Sequence, residues 1–222
     1  MPGWELVGNE ELESIKEIFS EGGGVFFRHG FDQVRGDCFK VKSFEDEFQK
    51  KMLSKGKCLA VSSGTAALRV ALASLGINKG DEVITQAFTF VATTEAIIES
   101  GAIPLCTQID QSLNMCPNSL ENLISNKTKA VIVVHMLGVP ANLMEIKAIC
   151  SKHNIPLIED TAWGCGAKFE EKFLGTIGDI GCFSFDNAKT ITTGEGGMIA
   201  CSNDELFSKA MAWHDHGHEN NP

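Results

Sequence analysis

Apolar and polar positions fall into two rhythms along this 222-residue chain, and the change between them comes near residue 58. Over residues 9–20, Leu12, Ile15, Ile18 and Phe19 recur at helical spacing behind Asn9, which predicts an amphipathic helix with an asparagine cap. Gly22-Gly-Gly24 ends it, and residues 25–42 carry no clear period. A second helix is predicted over roughly 43–54, because Ser43 with Asp46 three residues on resembles a capping box. From residue 58 the pattern becomes regular. Short β-rich runs at 58–61, 82–85, 103–109, 130–136, 155–159 and 182–185 alternate with helical stretches at about 65–75, 90–100, 118–125 and 141–153. Runs such as Val131-Ile-Val-Val134 are apolar without alternation, as strands buried on both faces should be. A further strand at 197–202 and a helix at 204–213 capped by Asn203 complete the pattern.

Strands alternating with helices through short turns such as Asn78-Lys-Gly-Asp81 predict an α/β fold with a mainly parallel sheet flanked by helices. Ligands of such sheets sit beyond the carboxyl ends of the strands. The natural division is an N-terminal helical segment, 1–57, packing on a larger domain, 58–222. After the last helix the chain stops at His218-Glu-Asn-Asn-Pro222, which is neither a helix end nor a domain end, so a fragment is expected.

Composition narrows the function. The net charge of −10 argues against nucleic-acid binding, which usually needs a basic face. An anionic ligand remains compatible, because one helix N-terminus can hold a phosphate whatever the global charge. With only Arg28, Arg35 and Arg69 present, such a site would lean on backbone amides. The eight cysteines show no close C-x-x-C pair, which fits free thiols in a reducing cytoplasm better than a zinc site or a disulfide framework. There is no signal-peptide pattern and no apolar run near the roughly 20 residues that cross a bilayer, so a soluble, cytoplasmic protein is expected.

The candidate chemistry centres on Lys189 and Asp160. Lys189 follows Phe183-Ser-Phe185 and precedes Thr190-Ile-Thr-Thr-Gly194, surroundings that favour an interior amine. A buried amine needs a reason, and Schiff-base chemistry is a common one. Asp160 ends the apolar run from Ile155 and could hold the protonated nitrogen of a pyridine ring; it could equally cap a helix or face solvent, and its neighbour Glu159 is just as acidic. Ser62-Ser63-Gly64-Thr65 lies between a strand and an apolar helix, where unpaired N–H groups suit a phosphate, although serine and threonine are also ordinary N-caps. Phe90 could stack on a planar ring or simply fill the core, and Ser184 could add a phosphate contact or bond to backbone. The i, i+2, i+4 spacing of His214, His216 and His218 fits one face of a strand with no further ligand nearby, so no metal is expected.

Five segments in order, V61-S-S-G-T-A-A-L68, G80-D-E-V-I-T-Q-A-F-T-F-V-A-T93, G101-A-I-P104, I158-E-D-T-A162 and F183-S-F-D-N-A-K-T-I-T-T-G-E-G-G197, resemble the DegT/DnrJ/EryC1/StrS sugar aminotransferase family. The resemblance implies the aspartate aminotransferase-like large domain of fold-type-I pyridoxal-phosphate enzymes, whose smaller C-terminal domain is absent here. It implies that Lys189 carries pyridoxal 5'-phosphate as a Schiff base and then shuttles the proton, and that Asp160 bonds the pyridine nitrogen. It further implies phosphate contacts from Ser63, Gly64, Thr65 and Ser184, and stacking by Phe90. Trp163 stands where the family usually has Gln or His, near the cofactor's phenolic oxygen; as a cofactor contact its indole N–H could donate there or its ring could lie over the cofactor, and Asp186-Asn187, in place of a region usually holding His or Gln, could touch substrate specificity. Relatives with histidine at the lysine position are dehydratases, so Lys189 favours amino transfer. The implied substrates are a nucleotide-linked ketosugar and glutamate or glutamine as donor, in a homodimer sharing its active sites. A catalytically incomplete fragment that binds cofactor or a regulatory partner, or a related aminodehydratase, stands as the alternative.

Overall fold

The computed structural model describes residues 2–26, 28 and 30–215. The N-terminal part contributes helices α1 (Asn9–Ser20), α2 (Asp32–Arg35) and α3 (Lys40–Met52). The remainder alternates as the sequence predicts: β1 (Lys57–Val61), α4 (Gly64–Ser74), β2 (Glu82–Gln86), α5 (Val91–Glu99), β3 (Ile103–Thr107), α6 (Pro117–Leu123), β4 (Thr128–Val134), α7 (Leu143–Lys152) and β5 (Leu157–Asp160). A small hairpin, β6 (Lys168–Phe169) with β7 (Lys172–Phe173), precedes β8 (Ile180–Ser184), β9 (Gly197–Cys201) and α8 (Asp204–His214). His216 and His218 lie outside the described residues, whereas His214 ends α8.

Seven strands form one sheet in the order β1-β9-β8-β5-β4-β2-β3. The pairs from β8 to β3 are all parallel, and β9 runs against both its neighbours, β1 and β8. Helices cover both faces, which is why the strands read as unbroken apolar runs. Alternation sorts each strand between two cores. Ile132, Ile158, Ile180 and Cys182 pack with α4 and α8 on one face, while Val131, Val133 and Leu157 pack with α6 and α7 on the other. A third cluster sits beneath α3, where Phe48 meets Phe183 edge-on at 5.0 Å and Phe44 meets Phe185 at 5.2 Å.

Two helix starts differ from the sequence expectation. Gly8, not Asn9, stands at the cap of α1, and its N–H donates to the Glu11 carboxylate at 2.7 Å. The apolar stripe of α1 is largely uncovered, with Leu12, Ile15 and Phe19 exposed and no residue fully buried. Helix α3 begins at Lys40, three residues before Ser43; the Ser43 N–H already donates to Phe39 O, and Asp46 pairs with Lys42 instead of capping.

Register places the chemistry. Val134 is level with Asp160, and Asp160 with Cys182, so β4, β5 and β8 finish along one carboxyl edge. Ser184 lies two residues past Cys182, and the chain then loops from 185 to 196 before returning as β9, with Ser184 opposite Gly197. Lys189 is on that loop.

Candidate active site

The side chains of Lys189, Asp160, Ser184, Phe90 and Trp163 line one cavity of about 380 Å³ at the carboxyl edge, together with Ser63, Gly64 and Thr65. A larger cavity, about 590 Å³, opens beside α3 and α8, but its cations Arg28, Lys42 and Lys57 are each matched by a carboxylate.

Strand parity decides between the two adjacent acids. Asp160 shares the face of Ile158 and points toward α5, where Thr93 Oγ1 donates to its Oδ2 at 2.9 Å; the Ala162 N–H donates to Oδ1 at 3.1 Å. Burial pushes its carboxyl above the usual range, and the Ala162 and Thr93 bonds and the nearby Lys189 charge only partly offset that. Glu159 turns the other way and is sealed by protein donors. It accepts from Gly175, Ile177 and Gly178 N–H groups at 2.9, 2.7 and 2.6 Å and from His135 Nε2 at 3.1 Å. Ala141 N–H donates to His135 Nδ1, which leaves Nε2 as the nitrogen carrying the shared proton. Burial raises the Glu159 carboxyl, yet the bonds from His135, Gly178 and Gly175 prevail and hold it low. Glu159 is therefore a fastening for the 175–178 turn, and Asp160 is the acid that faces the cavity.

Lys189 is half-buried on a loop fastened independently of its side chain. Its N–H donates to Asp186 O at 2.9 Å, the Ala188 N–H to the Asp186 carboxylate at 2.8 Å, and its carbonyl accepts the Gly3 N–H at 2.7 Å. Burial lowers the pKa of the amine, with Asp160 and Asp186 opposing. Its Nζ lies 3.8 Å from the ring centroid of Trp163.

At the far end, α4 presents its N-terminus. Ser63 caps it, its Oγ accepting from the Ala66 N–H at 3.0 Å, which leaves its O–H proton free to donate toward the cavity that it also lines. The N–H groups of Gly64 and Thr65 belong to the first turn and have no acceptor among the described residues. Gly64 has to be glycine, since a Cβ there would stand 2.8 Å from that of Ser184. This close approach brings the Ser184 hydroxyl beside the helix start. No arginine lines the cavity: Arg28 pairs with Glu45, Arg69 with Glu99, and Arg35 bonds Cys38 O. Loss of the cap in Ser63→Ala should destabilise the chain by about 1 kcal/mol, measured as a lower urea midpoint at unchanged slope.

Phe90 is 66% exposed at the start of α5, so it is no core residue. Asp186, which the resemblance tied to substrate specificity, also lines the cavity, as do Thr93 and Glu195, to which sequence reasoning assigned no contact there. Thr93 lies within a quoted motif, but only the packing of α5 beside β5 shows that it reaches Asp160.

A sequence profile of the DegT/DnrJ/EryC1/StrS aminotransferase family matches residues 32–222. The chain belongs to this family. GDP-perosamine synthase of Vibrio cholerae is 38% identical over 178 residues, covering 80% of this chain and 48% of that protein. The crystal structure of 3-amino-5-hydroxybenzoic acid synthase superposes with a TM-score of 0.89 at 30% identity, over 100% of this chain and 56% of that one. The ntda protein of Bacillus subtilis, solved with bound cofactor pmp, superposes with a TM-score of 0.83 at 31% identity, over 98% and 48%. The chain thus spans about half the length of the curated relatives it matches. The family's enzymes are aminotransferases that use pyridoxal phosphate. The donor set fits that group: an amine for its aldehyde, a buried acid with no ion-pair contact among the described residues, and unspent N–H groups with hydroxyls for its phosphate. All eight cysteines are free, and among the described residues no helix is long and apolar enough to cross a membrane.

Proposed function

We propose that the complete protein moves an amino group from glutamate or glutamine to a nucleotide-linked ketosugar, with pyridoxal phosphate held in this cavity. The observation that carries the reading is the convergence of the Lys189 amine, the Asp160 carboxylate and the α4 N-terminus on one 380 Å³ space. When bound, the cofactor supplies an aldehyde for the amine and a ring that takes up electrons as a substrate C–H bond breaks. Lys189 Nζ anchors that aldehyde and, once released by the incoming amino group, carries the proton to and from the substrate carbon. Asp160 holds the ring nitrogen protonated, and Thr93 and Ala162 hold Asp160 in place. Gly64 and Thr65 N–H groups, with the Thr65 and Ser184 hydroxyls, bind the phosphate, while Ser63 shapes the helix start. Phe90 stacks on the ring, and Trp163 forms the wall beside Lys189.

In the same reading, residues 58–222 form the cofactor-binding domain and 1–57 a segment packed on it. The protein is a cytoplasmic homodimer, a reading supported by its free thiols and by the exposed Phe88, Phe90, Val91, Leu137 and Val139 near the strand ends. A second reading, an enzyme of the same fold that makes an aromatic amine, is supported by the likeness to 3-amino-5-hydroxybenzoic acid synthase over 100% of this chain.

The test is direct. Mixing the chain with pyridoxal phosphate should give a visible band, and borohydride should bleach it and fix the label on the peptide containing Lys189. A label elsewhere, or none, removes the proposal. Ser184→Ala should weaken pyridoxal phosphate binding about tenfold, the worth of one charge-assisted hydrogen bond. Binding of pyridoxal, which lacks the phosphate, should be unchanged; an equal loss for both would take Ser184 away from the phosphate.

A further inference from the structure

The ammonium of Lys189 makes no ion pair and no hydrogen bond among the described residues; what it meets is an aromatic face. Its Nζ lies 3.8 Å from the Trp163 ring centroid, well within the roughly 6 Å over which a ring quadrupole attracts a cation. Trp163 stands three residues past Asp160, just beyond the end of β5, and keeps 40% of its surface exposed, so its ring serves the cavity instead of the core. The backbone there is fixed: the Gly164 N–H donates to Thr161 O at 3.0 Å, and a Cβ on Gly138 would stand 3.0 Å from the Trp163 carbonyl.

We propose that the indole face of Trp163 is a docking platform for the Lys189 ammonium, positioning the amine over the cavity whenever it is not joined to another group. The proposal deepens the pyridoxal-phosphate reading and rests on it for its biological meaning. A free lysine side chain otherwise sweeps many rotamers, and an amine that must find one aldehyde carbon gains from being held near it. A carboxylate would hold it too tightly in its charged form; an aromatic face holds it without offering a proton acceptor.

The charges facing Lys189 are few. Asp160 comes from the end of β5, and Asp186 and Glu195 from the loop of Lys189 itself; α4 with its cap Ser63, and α5 with the segment before it, add the hydroxyls of Ser63, Thr65, Thr89 and Thr93 and no charged side chain. Burial lowers the amine's pKa, with Asp160 and then Asp186 opposing. An attractive ring face adds to the opposing side, because it stabilises the protonated form alone.

Reductive methylation of the cofactor-free chain with carbon-13 formaldehyde gives each lysine an NMR signal whose shift follows its titration. The Lys189 signal is the one missing from Lys189→Arg. Trp163→Leu should lower its pKa by about 0.4–0.7 unit relative to wild type, and Trp163→Phe, which keeps a weaker face and a similar bulk, should fall between. If Leu fails to fold, Phe alone must still titrate below wild type. Leucine and phenylalanine titrating with wild type, or above it, would overturn the platform. The two readings separate cleanly: a wild type that never takes pyridoxal phosphate on Lys189 overturns the function yet leaves the order Trp, Phe, Leu to stand. A wild type that does so, with the variants titrating together, overturns the platform alone.

Discussion

The Lys189→Ala chain is expected to bind pyridoxal phosphate without the visible band that borohydride bleaches, and the complete protein carrying it should lose about 10⁴-fold or more in turnover. One amine performs two tasks, the attachment to the aldehyde and the movement of the substrate proton, and alanine performs neither. The fold should survive. The loop holding Lys189 is fixed by backbone bonds to Asp186 and Gly3 and by the Asp186 carboxylate on Ala188, none of which uses the lysine side chain. What is lost structurally is the contact with the Trp163 face, worth about 0.5–1 kcal/mol at an accessible site. Circular dichroism and thermal unfolding should therefore nearly superpose on wild type while absorbance and turnover do not. Added small primary amines should restore part of the turnover if proton movement is the missing step. An unfolded variant, or one that keeps the band, would show that Lys189 does something else.

The sequence carried the layout of this fold because its middle strands are buried on both faces. Val131-Ile-Val-Val134 admits few placements other than the interior of a layered sheet, and β4 lies there, between β5 and β2. Elements held by tertiary contacts were less legible. The Ser43–Asp46 spacing mimics a cap, but Phe44 and Phe48 pack under the sheet ends and the helix extends back to Lys40. The two-residue strands β6 and β7 are too short to show any period. In the site, Lys189 stood out by its apolar approach and glycine-hydroxyl exit. Asp160 and Glu159 could not be told apart by composition, since the distinction is which face of β5 each occupies, and that is set by Ile158 and Leu157 entering different cores. Ser63 has the residue type of both a phosphate ligand and a cap; the cap bond from Ala66 is visible only in the folded chain. Asp186 likewise fastens the loop beneath Lys189, a role that its place in the sequence does not announce.

Asp160→Asn should separate function from stability. Turnover of the complete protein should fall about 10²–10³-fold, since an amide carries no charge to hold the ring nitrogen protonated. Without cofactor, the same change should raise the melting temperature near neutral pH by about 5 °C, if removing one under-compensated buried charge returns 1–3 kcal/mol. Asparagine can keep both neighbours: its oxygen accepts the Ala162 N–H, and its amide donates to Thr93 Oγ1, which turns its own proton toward Thr89, 2.8 Å away. The pH dependence fixes the sign. Because burial raises the folded-state pKa of Asp160, the folded chain retains a proton that the unfolded chain has already lost between the ordinary aspartate value and the raised one. Stability contributed by this group is therefore present in acid, declines as pH rises through that window, and stays low above it. The gap in melting temperature between variant and wild type should open over the same interval, vanishing at the acid end. Pyridoxal phosphate should then raise the melting temperature of wild type more than that of the variant, because only a carboxylate gains from a positive ring. Equal shifts for the two proteins, or a variant less stable than wild type at neutral pH, would mean that Asp160 is already compensated within the chain and is not waiting for a cation.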